Sequence, residues 1–159
     1  MISKSVEETI KIGERLARKL KRGSCVALIG DLGSGKTVFT KGIAKGLGVK
    51  NARYVNSPTF VIIKEYMGKL PLYHLDLYRL DHSSVIDAED FEEHFYSDGV
   101  CVVEWADKIR KLLPKKHIEV RLKVLGENKR LIGMRHCEAA KRPKQSKKRL
   151  LRRPSASSQ

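Results

Sequence analysis

The chain has 159 residues, enough for one domain with a single hydrophobic core. It contains no apolar run near the roughly 18 residues that a membrane-spanning helix requires, and its first residues lack the apolar stretch of a secretion signal, so we expect a cytoplasmic protein. The formal net charge is +15, and eight of those charges come from the Lys and Arg residues of 141–159, a stretch without Asp or Glu. Because that stretch is too charged to pack, we divide the chain into a domain over 1–140 and a basic, disordered tail over 141–159.

The N-terminal segment predicts a helix followed by a buried strand. Ser5 and Glu8 have the spacing of a capping box, and apolar or small residues recur at helical spacing through 5–21. Gly23 ends this helix, and the apolar run 24–29 predicts a strand that is buried on both faces.

The next eight residues match the pattern G-x-x-x-x-G-K-[ST], which wraps the phosphates of a nucleoside triphosphate. This phosphate loop consists of Gly30, Asp31, Leu32, Gly33, Ser34, Gly35, Lys36 and Thr37, and Val38 opens the helix predicted over 38–47. Glycine lets the backbone approach the phosphates, so that successive N–H groups and the positive end of the helix face the anion. The lysine of this pattern reaches the β- and γ-phosphates, and the threonine hydroxyl holds Mg²⁺. The alternative is a glycine-rich turn, but a strand before the loop and a helix after it are the setting that the motif requires.

The remaining segments predict further strands and helices. In chain order we predict a strand over 60–66, a tight turn at 67–69, a strand over 70–77, an acidic helix within 81–96, a buried strand over 100–105, a short helix over 106–113 and a strand pair over 117–125 and 130–134. Along 117–125 the alternation predicts a half-exposed strand with Ile118, Val120, Leu122 and Val124 on one face and Glu119, Arg121 and Lys123 on the other. The fold is therefore predicted as α/β, three-layer and P-loop NTPase-like, with a mostly parallel central sheet, antiparallel additions and helices on both faces.

Two acidic residues are candidates for the rest of a phosphate-handling site. Asp76 and Glu104 lie near the ends of predicted strands, and ligands of such folds bind outside the carboxyl ends of the strands. An acid there holds Mg²⁺ or positions the attacking water, so Lys36, Asp76 and Glu104 are the candidate catalytic residues. The alternatives are a surface acid for Glu104 and a structural salt bridge from Asp76 to Arg79.

Three further side chains have two interpretations each. Thr59 supplies a hydroxyl to the site or merely begins a strand, and Trp105 stacks on the nucleotide base or fills the core. For His74 we favour orienting a neighbour or lying on a sheet face over binding a metal, because no second His or Cys lies at ligand spacing nearby.

Four segments, in their order and separations, resemble the TsaE (YjeE) family. They are the phosphate loop, Ser57-Pro58-Thr59-Phe60, His74-Leu75-Asp76-Leu77-Tyr78-Arg79-Leu80 and Val103-Glu104-Trp105. The resemblance extends from about Ser5 to Met134 and leaves out the basic tail. It implies a small ATPase of bacterial tRNA modification, which assists the synthesis of N6-threonylcarbamoyladenosine by docking on a complex of the TsaD and TsaB proteins and hydrolysing ATP there.

The resemblance also implies roles for single residues and for ligands. By matching position it implies Mg²⁺ binding by Thr37 and Glu104, a hydrolytic role for Asp76, and nucleotide contacts by Thr9, Arg130 and Trp105, with Trp105 near the base. ATP and Mg²⁺ are the expected cofactors. TsaD and TsaB are the expected partners, tRNA is contacted indirectly or through the basic tail, and no membrane is involved.

Other functions remain open at this stage. A small kinase would use the same loop, although no lid segment or arginine-rich acceptor segment is visible. A GTPase is disfavoured because the stretch 128–131 lacks the aspartate of the guanine-reading N-K-x-D pattern. A basic RNA-binding module that only senses nucleotide fits the net charge, but no RNA-reading motif is present and aromatic residues make up only 6%. The acidic stretch 81–93 is a further candidate docking surface, although such charge runs are commonly just solvated.

Overall fold

The computed structural model describes residues 1–59, 62–80 and 89–138. Within these ranges seven strands and three α-helices are present: β1 (Ile2–Ser3), α1 (Val6–Ala17), β2 (Ser24–Ile29), α2 (Lys36–Gly46), β3 (Ile63–Tyr66), β4 (Leu72–Asp76), α3 (Glu89–Phe95), β5 (Val100–Glu104), β6 (Lys116–Gly126) and β7 (Lys129–Glu138). Short 3-10 turns lie at Ala52–Tyr54 and Ala106–Ile109. None of the described helices has both the length and the apolar character needed to cross a bilayer.

All seven strands belong to one sheet, in the order β1-β7-β6-β2-β5-β4-β3. The four central strands β6, β2, β5 and β4 run parallel, whereas β3 pairs antiparallel at one edge and β7 and β1 do so at the other. The register places Glu104 of β5 opposite both Leu28 of β2 and Asp76 of β4. Because parallel strands end at the same edge of a sheet, the phosphate loop after β2 meets both acids there.

Alternation along the buried strands gives the sheet two apolar faces. Val26 and Leu28 of β2 face a core that is built with α1 and α2, while Cys25 and Ala27 face a second core that is built with α3. Helices therefore cover both faces. This confirms the predicted three-layer α/β fold with a mostly parallel central sheet.

The start of α1 follows the predicted capping pattern. The Oγ atom of Ser5 accepts a hydrogen bond from the backbone N–H of Glu8 at 3.1 Å, and the Glu8 carboxylate accepts one from the N–H of Lys4 at 2.7 Å. The helix ends at Ala17, four residues before the predicted end at 21.

Three sequence predictions for the second half of the chain were wrong in detail. The helix predicted over 106–113 is only the 3-10 turn Ala106–Ile109, which starts directly after Trp105 with its left-handed φ of 59°. Glu119 is 5% exposed rather than solvated, since Arg121 and Arg135 both bind its carboxylate. Val124 is 45% exposed rather than inward, and a register irregularity separates it from Gly126.

Some predictions lie partly or wholly outside the described residues. The strand predicted over 60–66 is described only as Ile63–Tyr66, and the acidic helix within 81–96 only as Glu89–Phe95. The tail over 141–159 also lies outside them, so the division of the chain at residue 140 stays a prediction. In contrast, β1 was not predicted, because two residues carry too little pattern to indicate a strand.

Candidate functional site

The phosphate loop joins the end of β2 to the start of α2. Gly33 and Gly35 have left-handed φ values of 74° and 99°, which glycine adopts without strain. A Cβ atom at Gly33 would meet no heavy atom within 4 Å, so the backbone is uncovered there. Ser34 is buried, yet its Oγ atom has no hydrogen-bond partner among the described residues. An uncovered loop at a helix N-terminus with an unpartnered hydroxyl offers hydrogen-bond donors to an anion.

The ammonium group of Lys36 folds back over the phosphate loop. Its Nζ atom donates to the carbonyl oxygens of Gly30 at 2.6 Å and Asp31 at 2.9 Å. Nζ also lies 3.8 Å from the centroid of the Trp105 ring, a cation–π distance. Burial lowers the pKa of Lys36 below 10.5, although the charge of Glu104 opposes this shift. The lysine is thus held at the loop by hydrogen bonds that a phosphate oxygen can replace.

Glu104 ends β5, and three side chains meet at its carboxylate. Its Oε2 atom accepts a hydrogen bond from Thr37 Oγ1 at 3.1 Å, while Oε1 lies 2.8 Å from His74 Nε2 and 3.5 Å from Thr40 Oγ1. Glu104 itself is 2% exposed. A hydroxyl and a carboxylate at neighbouring positions are the hard oxygen ligands that Mg²⁺ binds, so the pair of Thr37 and Glu104 fits a magnesium ion.

His74 lies on β4, and its ring is fully buried. Because a carboxylate oxygen only accepts hydrogen bonds, Nε2 must carry the hydrogen that is shared with Glu104. The Nδ1 atom is buried and has no partner in the described part of the chain. The contact of His74 with the site therefore runs through Glu104, as expected for a residue that orients a neighbour.

Asp76 ends β4 and lies beside Glu104 in the register of the sheet. Its Oδ2 atom accepts hydrogen bonds from Ser57 Oγ and from Thr59 Oγ1, the latter at 3.0 Å, and Oδ1 accepts one from the backbone N–H of Tyr78 at 2.8 Å. The side chain is 4% exposed. Three donors fix its orientation and tie the segment that contains Ser57 and Thr59 to the site.

Lys36, Thr37, Asp76 and Glu104 line one cavity of about 410 Å³. Its lining combines the phosphate loop, the first turn of α2 and the strand ends: Leu32, Gly33, Gly35, Lys36, Thr37, Val38, Ser57, Thr59, Asp76, Tyr78, Glu104 and Trp105. Lys36, Asp76 and Glu104 therefore come together in space, although 68 residues separate the first from the last. An ammonium group, two carboxylates and a loop of main-chain donors in one cavity are suited to binding and cleaving a polyphosphate.

Thr9 and Arg130 line a second, smaller cavity, which we call the side cavity. Its other lining residues are Ser5, Val6, Gly35, Val38, Glu127 and Asn128. Thr9 Oγ1 lies 2.7 Å from Ser3 Oγ, and the Arg130 guanidinium donates to the carbonyl oxygens of Gly126 at 2.9 Å and Gly33 at 3.4 Å. Gly35 and Val38 line both cavities, so the two adjoin at the phosphate loop.

Two sets of predicted nucleotide contacts differ in location. Trp105 lines the cavity that holds the carboxylates and lies against Lys36, whereas Thr9 and Arg130 line the side cavity. Asp31 and Leu32 lie at the exposed tip of the loop, where the Leu32 side chain is 73% exposed.

Three residues with direct contacts to the site were absent from the predicted set: Thr40, Ser57 and Tyr78, the last through its backbone N–H. His74 had been considered only as a residue that orients a neighbour, and it contacts Glu104. Thr40 follows Thr37 by three residues and shares its helix face, so helical spacing could have indicated it. The contact of His74 depends on strand register, and that of Ser57 depends on how the segment before β3 lies against Asp76; local sequence fixes neither.

Known proteins resemble this chain over most of its length. The family model described as threonylcarbamoyl adenosine biosynthesis protein TsaE matches residues 3–132. The tRNA threonylcarbamoyladenosine biosynthesis protein TsaE of Bacillus subtilis is 49% identical over 129 residues, which cover 79% of this chain and 78% of that protein. The protein of the same name from Treponema pallidum is 41% identical over 133 residues, covering 82% of this chain and 96% of the relative.

A solved structure shares the fold. The crystal structure of Bacillus subtilis YdiB superposes with a TM-score of 0.69 at 38% sequence identity, and the match covers 87% of this chain and 84% of that one. The similarity thus extends over the sheet and its helices and not only over the phosphate loop.

Proposed function

Because this chain belongs to the TsaE family, which acts in the biosynthesis of threonylcarbamoyladenosine in tRNA, we propose that it binds ATP with Mg²⁺ and hydrolyses the ATP to ADP and phosphate in support of that modification. A single observation carries the proposal. The hydroxyl of Thr37 and the carboxylate of Glu104 lie 3.1 Å apart at the start of α2, in the cavity that Lys36 and Asp76 also line.

The loop and Lys36 bind the phosphates in this proposal. The main-chain N–H groups of the loop face the phosphate oxygens, and Nζ of Lys36 exchanges its two carbonyl partners for the β- and γ-phosphates. Thr37 and Glu104 hold the metal, and Mg²⁺, when bound, neutralises charge on these phosphates. Most of the rate acceleration then comes from positioning and electrostatics.

Asp76 serves the hydrolytic step. A water oxygen attacks the γ-phosphorus as the bond from that phosphorus to the bridging oxygen breaks, which leaves ADP and inorganic phosphate. We assign to the Asp76 carboxylate the orientation of this water, because it lies in the same cavity and is itself held by Ser57, Thr59 and the Tyr78 amide. In this proposal the hydroxyl of Thr59 connects the segment before β3 to the γ-phosphate.

The nucleoside end of ATP is assigned to the protein surface at the side cavity, whose volume of about 40 Å³ admits only part of it. Thr9, Val38 and Arg130 line this cavity directly beside Gly35 of the loop. Trp105, which was predicted near the base, lies against Lys36, and we propose that its ring also supports the lysine next to the phosphates.

The partners follow from the family and from the tail. We propose that the protein acts on a TsaD–TsaB complex in the cytoplasm and that the tail over 141–159, with eight Lys and Arg residues and no acid, adds affinity for the tRNA backbone. The acidic stretch 81–93 is the proposed contact for a basic partner face.

The decisive experiment measures ATP binding and turnover in Lys36→Ala. Phosphate release is measured with Mg²⁺ in two conditions, with TsaD–TsaB and tRNA and without them. We expect the wild-type protein to release phosphate and the variant to lose this activity while keeping its fold by circular dichroism. Lys45→Ala is the matched control, because Lys45 lies on the same helix with its Nζ 3.1 Å from Glu14, away from the cavity; its turnover should equal wild type.

Two results would overturn the assignment. One is undiminished turnover in Lys36→Ala. The other is recovery of the labelled γ-phosphate on tRNA or on a protein, rather than as free phosphate, which would identify a kinase.

A further inference from the structure

A second charged cavity lies at the other end of the sheet from the phosphate loop. It has a volume of about 380 Å³ and is lined by the starts of β2 and β6 and by the end of β7. Four basic side chains dominate its rim, and we call them the basal cationic surface: Lys19, Lys21, Arg22 and Lys116. All four are exposed, and the two histidines His117 and His136 lie in the same lining.

The basal cationic surface is remote from the nucleotide site. β2 starts at this cavity with Ser24 and Cys25 and ends with Ile29 just before the phosphate loop. Five steps of a strand span about 17 Å. A ligand on the basal surface therefore does not compete for space with a nucleotide at the loop.

The charges of this surface are available to a ligand. Lys19 and Lys21 have no acidic side chain within 4.0 Å in the described residues. Arg22 pairs with Asp98 at 3.5 Å and Lys116 with Glu138 at 3.9 Å, and every partner in these two pairs is at least 67% exposed. Exposed ion pairs at such distances are weak and screened by salt, so a phosphate can replace either acid.

A basic segment follows β7 in the sequence. β7 ends at Glu138, which lies opposite Lys116 in the register and lines the cavity. Two alanines follow, and the next 19 residues carry eight Lys and Arg and no acid. The strongest basic segment of the sequence therefore begins three residues after Glu138, which lines this cavity.

From these observations we infer that the basal cationic surface binds the phosphate backbone of tRNA. The inference rests on the proposed function, because a role in tRNA modification makes tRNA the polyanion that this surface binds. A competing groove between α1 and α2 has Lys11, Lys41, Lys45 and Arg53 in its lining. It is less suited, since its Lys45 lies 3.1 Å from Glu14, a carboxylate that is only 21% exposed, and this ion pair is shorter and less solvated than the two on the basal cationic surface.

The test compares two triple variants of the full chain. The basal variant is Lys19→Gln, Lys21→Gln and Lys116→Gln. The control is Lys11→Gln, Lys50→Gln and Lys123→Gln, three exposed lysines that line neither this cavity nor those of the nucleotide site. Both lower the net charge from +15 by the same three units. Binding of transcribed tRNA is measured from 50 to 200 mM salt, and binding of ATP is measured on the same samples.

We expect the tRNA affinity of the basal variant to fall about tenfold or more near 0.1 M salt. The slope of its log affinity against log salt should flatten by about two to three, because each phosphate contact contributes roughly 0.7–0.9 to that slope. The control should lose less than about threefold, with its slope within one of wild type. ATP binding should stay at the wild-type level in both, which separates this inference from the nucleotide assignment tested by Lys36→Ala.

Three outcomes would overturn the inference. Equal losses in the two variants would assign the binding to net charge alone, and an unchanged basal variant would assign it to the tail or to another face. Displacement of tRNA by polyglutamate at equal charge concentration would identify the surface as a site for an acidic protein segment.

Discussion

The Nε2 atom of His74 lies 2.8 Å from Oε1 of Glu104, and the two residues are 0% and 2% exposed. The other carboxylate oxygen, Oε2, accepts a hydrogen bond from Thr37 at the start of α2. His74 therefore holds one oxygen of Glu104 while the second oxygen faces the phosphate loop. This makes His74 a positioning residue for the proposed magnesium ligand.

Replacing His74 by leucine should weaken metal binding without affecting the nucleotide itself. The change removes the hydrogen-bond donor to Glu104, and the leucine side chain fills the buried position. A hydrogen bond to a charged group is worth about 1.5–3 kcal/mol, and about 1.4 kcal/mol corresponds to a tenfold change in affinity. We expect the affinity for Mn²⁺ in the presence of ADP, measured by electron paramagnetic resonance, to fall about tenfold or more, while ADP affinity in EDTA is unchanged.

The control for this prediction is His74→Gln. Its side-chain amide N–H can replace Nε2 as the donor to Glu104, so most of the metal affinity should return. Wild-type Mn²⁺ affinity in His74→Leu would contradict the positioning role.

Asp76→Asn should separate hydrolysis from binding. Asparagine retains an acceptor for the Tyr78 amide, and the hydroxyls of Ser57 and Thr59 can rotate to suit it, so the fold is kept. The charge that orients the attacking water is lost. Because such groups contribute about 10²–10⁴ in rate, we expect kcat to fall at least about 100-fold while the Kd for ATP changes by less than about threefold.

A milder variant of the same network provides the comparison. Ser57→Ala removes one of the three donors and leaves the Asp76 carboxylate in place, so its kcat should lie between wild type and Asp76→Asn. An equal loss of ATP affinity and of kcat in Asp76→Asn would assign the residue to binding instead.

The parts of the site that the sequence made predictable are those fixed by local chemistry. The phosphate loop follows from one contiguous pattern, and Glu104 follows from its position directly after four apolar residues. The central strands β2 and β5 were predicted for the same reason, since residues buried on both faces form unbroken apolar runs. Thr9 and Arg130 were indicated only by the family resemblance, because no local pattern relates them to the loop.

The parts that could not be predicted depend on contacts between distant segments. Glu119 was expected on the open face because alternation tells only which side of a strand a residue faces. Its burial depends on Arg135, which β7 brings opposite it in the antiparallel register. The bond between His74 and Glu104 likewise depends on how β4 and β5 align. Pairing register over such separations is not contained in local propensity.

Gly42→Ala should destabilise the protein although alanine favours helices. A Cβ atom at Gly42 of α2 would lie 2.2 Å from the carbonyl oxygen of Ile10 in α1, and this backbone atom cannot rotate away. The gain in helix propensity is about 0.8–1.0 kcal/mol, whereas overpacking costs about 1–3 kcal/mol and a backbone contact belongs at the upper end. We expect the free energy of unfolding in urea to fall by about 1–2 kcal/mol.

The strand glycine Gly133 supplies the matched control for this packing argument. A Cβ atom there meets no heavy atom within 4 Å. Gly133→Ala should therefore leave stability unchanged or raise it by about 0.4–1 kcal/mol through the unfolded chain. A loss in Gly133→Ala as large as that in Gly42→Ala would show that the helix contact is not the cause.

A carboxylate held by two arginines lies on the hairpin of β6 and β7. Glu119 Oε1 accepts a hydrogen bond from Arg121 at 2.6 Å and Oε2 accepts one from Arg135 at 3.0 Å, and the Glu119 side chain is 6% exposed. Burial by itself raises the pKa of Glu119, but the hydrogen bonds from Arg135 and Arg121 outweigh it, so the pKa lies below 4.5.

This lowered pKa predicts a stability difference that depends on pH. Below its folded pKa Glu119 is protonated in both states, so its ionic contribution is absent; above 4.5 it is ionised in both states and the contribution is complete. Glu119→Gln should therefore lose about 1.5–3 kcal/mol of unfolding free energy at pH 7, the value of hydrogen bonds to a charged group, and this deficit should shrink as the pH falls through and below 4.5. Urea denaturation at pH 7, 5, 4 and 3 measures this deficit.

The control is Glu138→Gln. The Glu138 carboxylate is 75% exposed and lies 3.9 Å from Lys116, so this variant should show almost no deficit at any pH. A Glu119→Gln deficit of constant size from pH 7 to 3 would mean that packing, and not the charge between the two guanidinium groups, stabilises this end of the sheet.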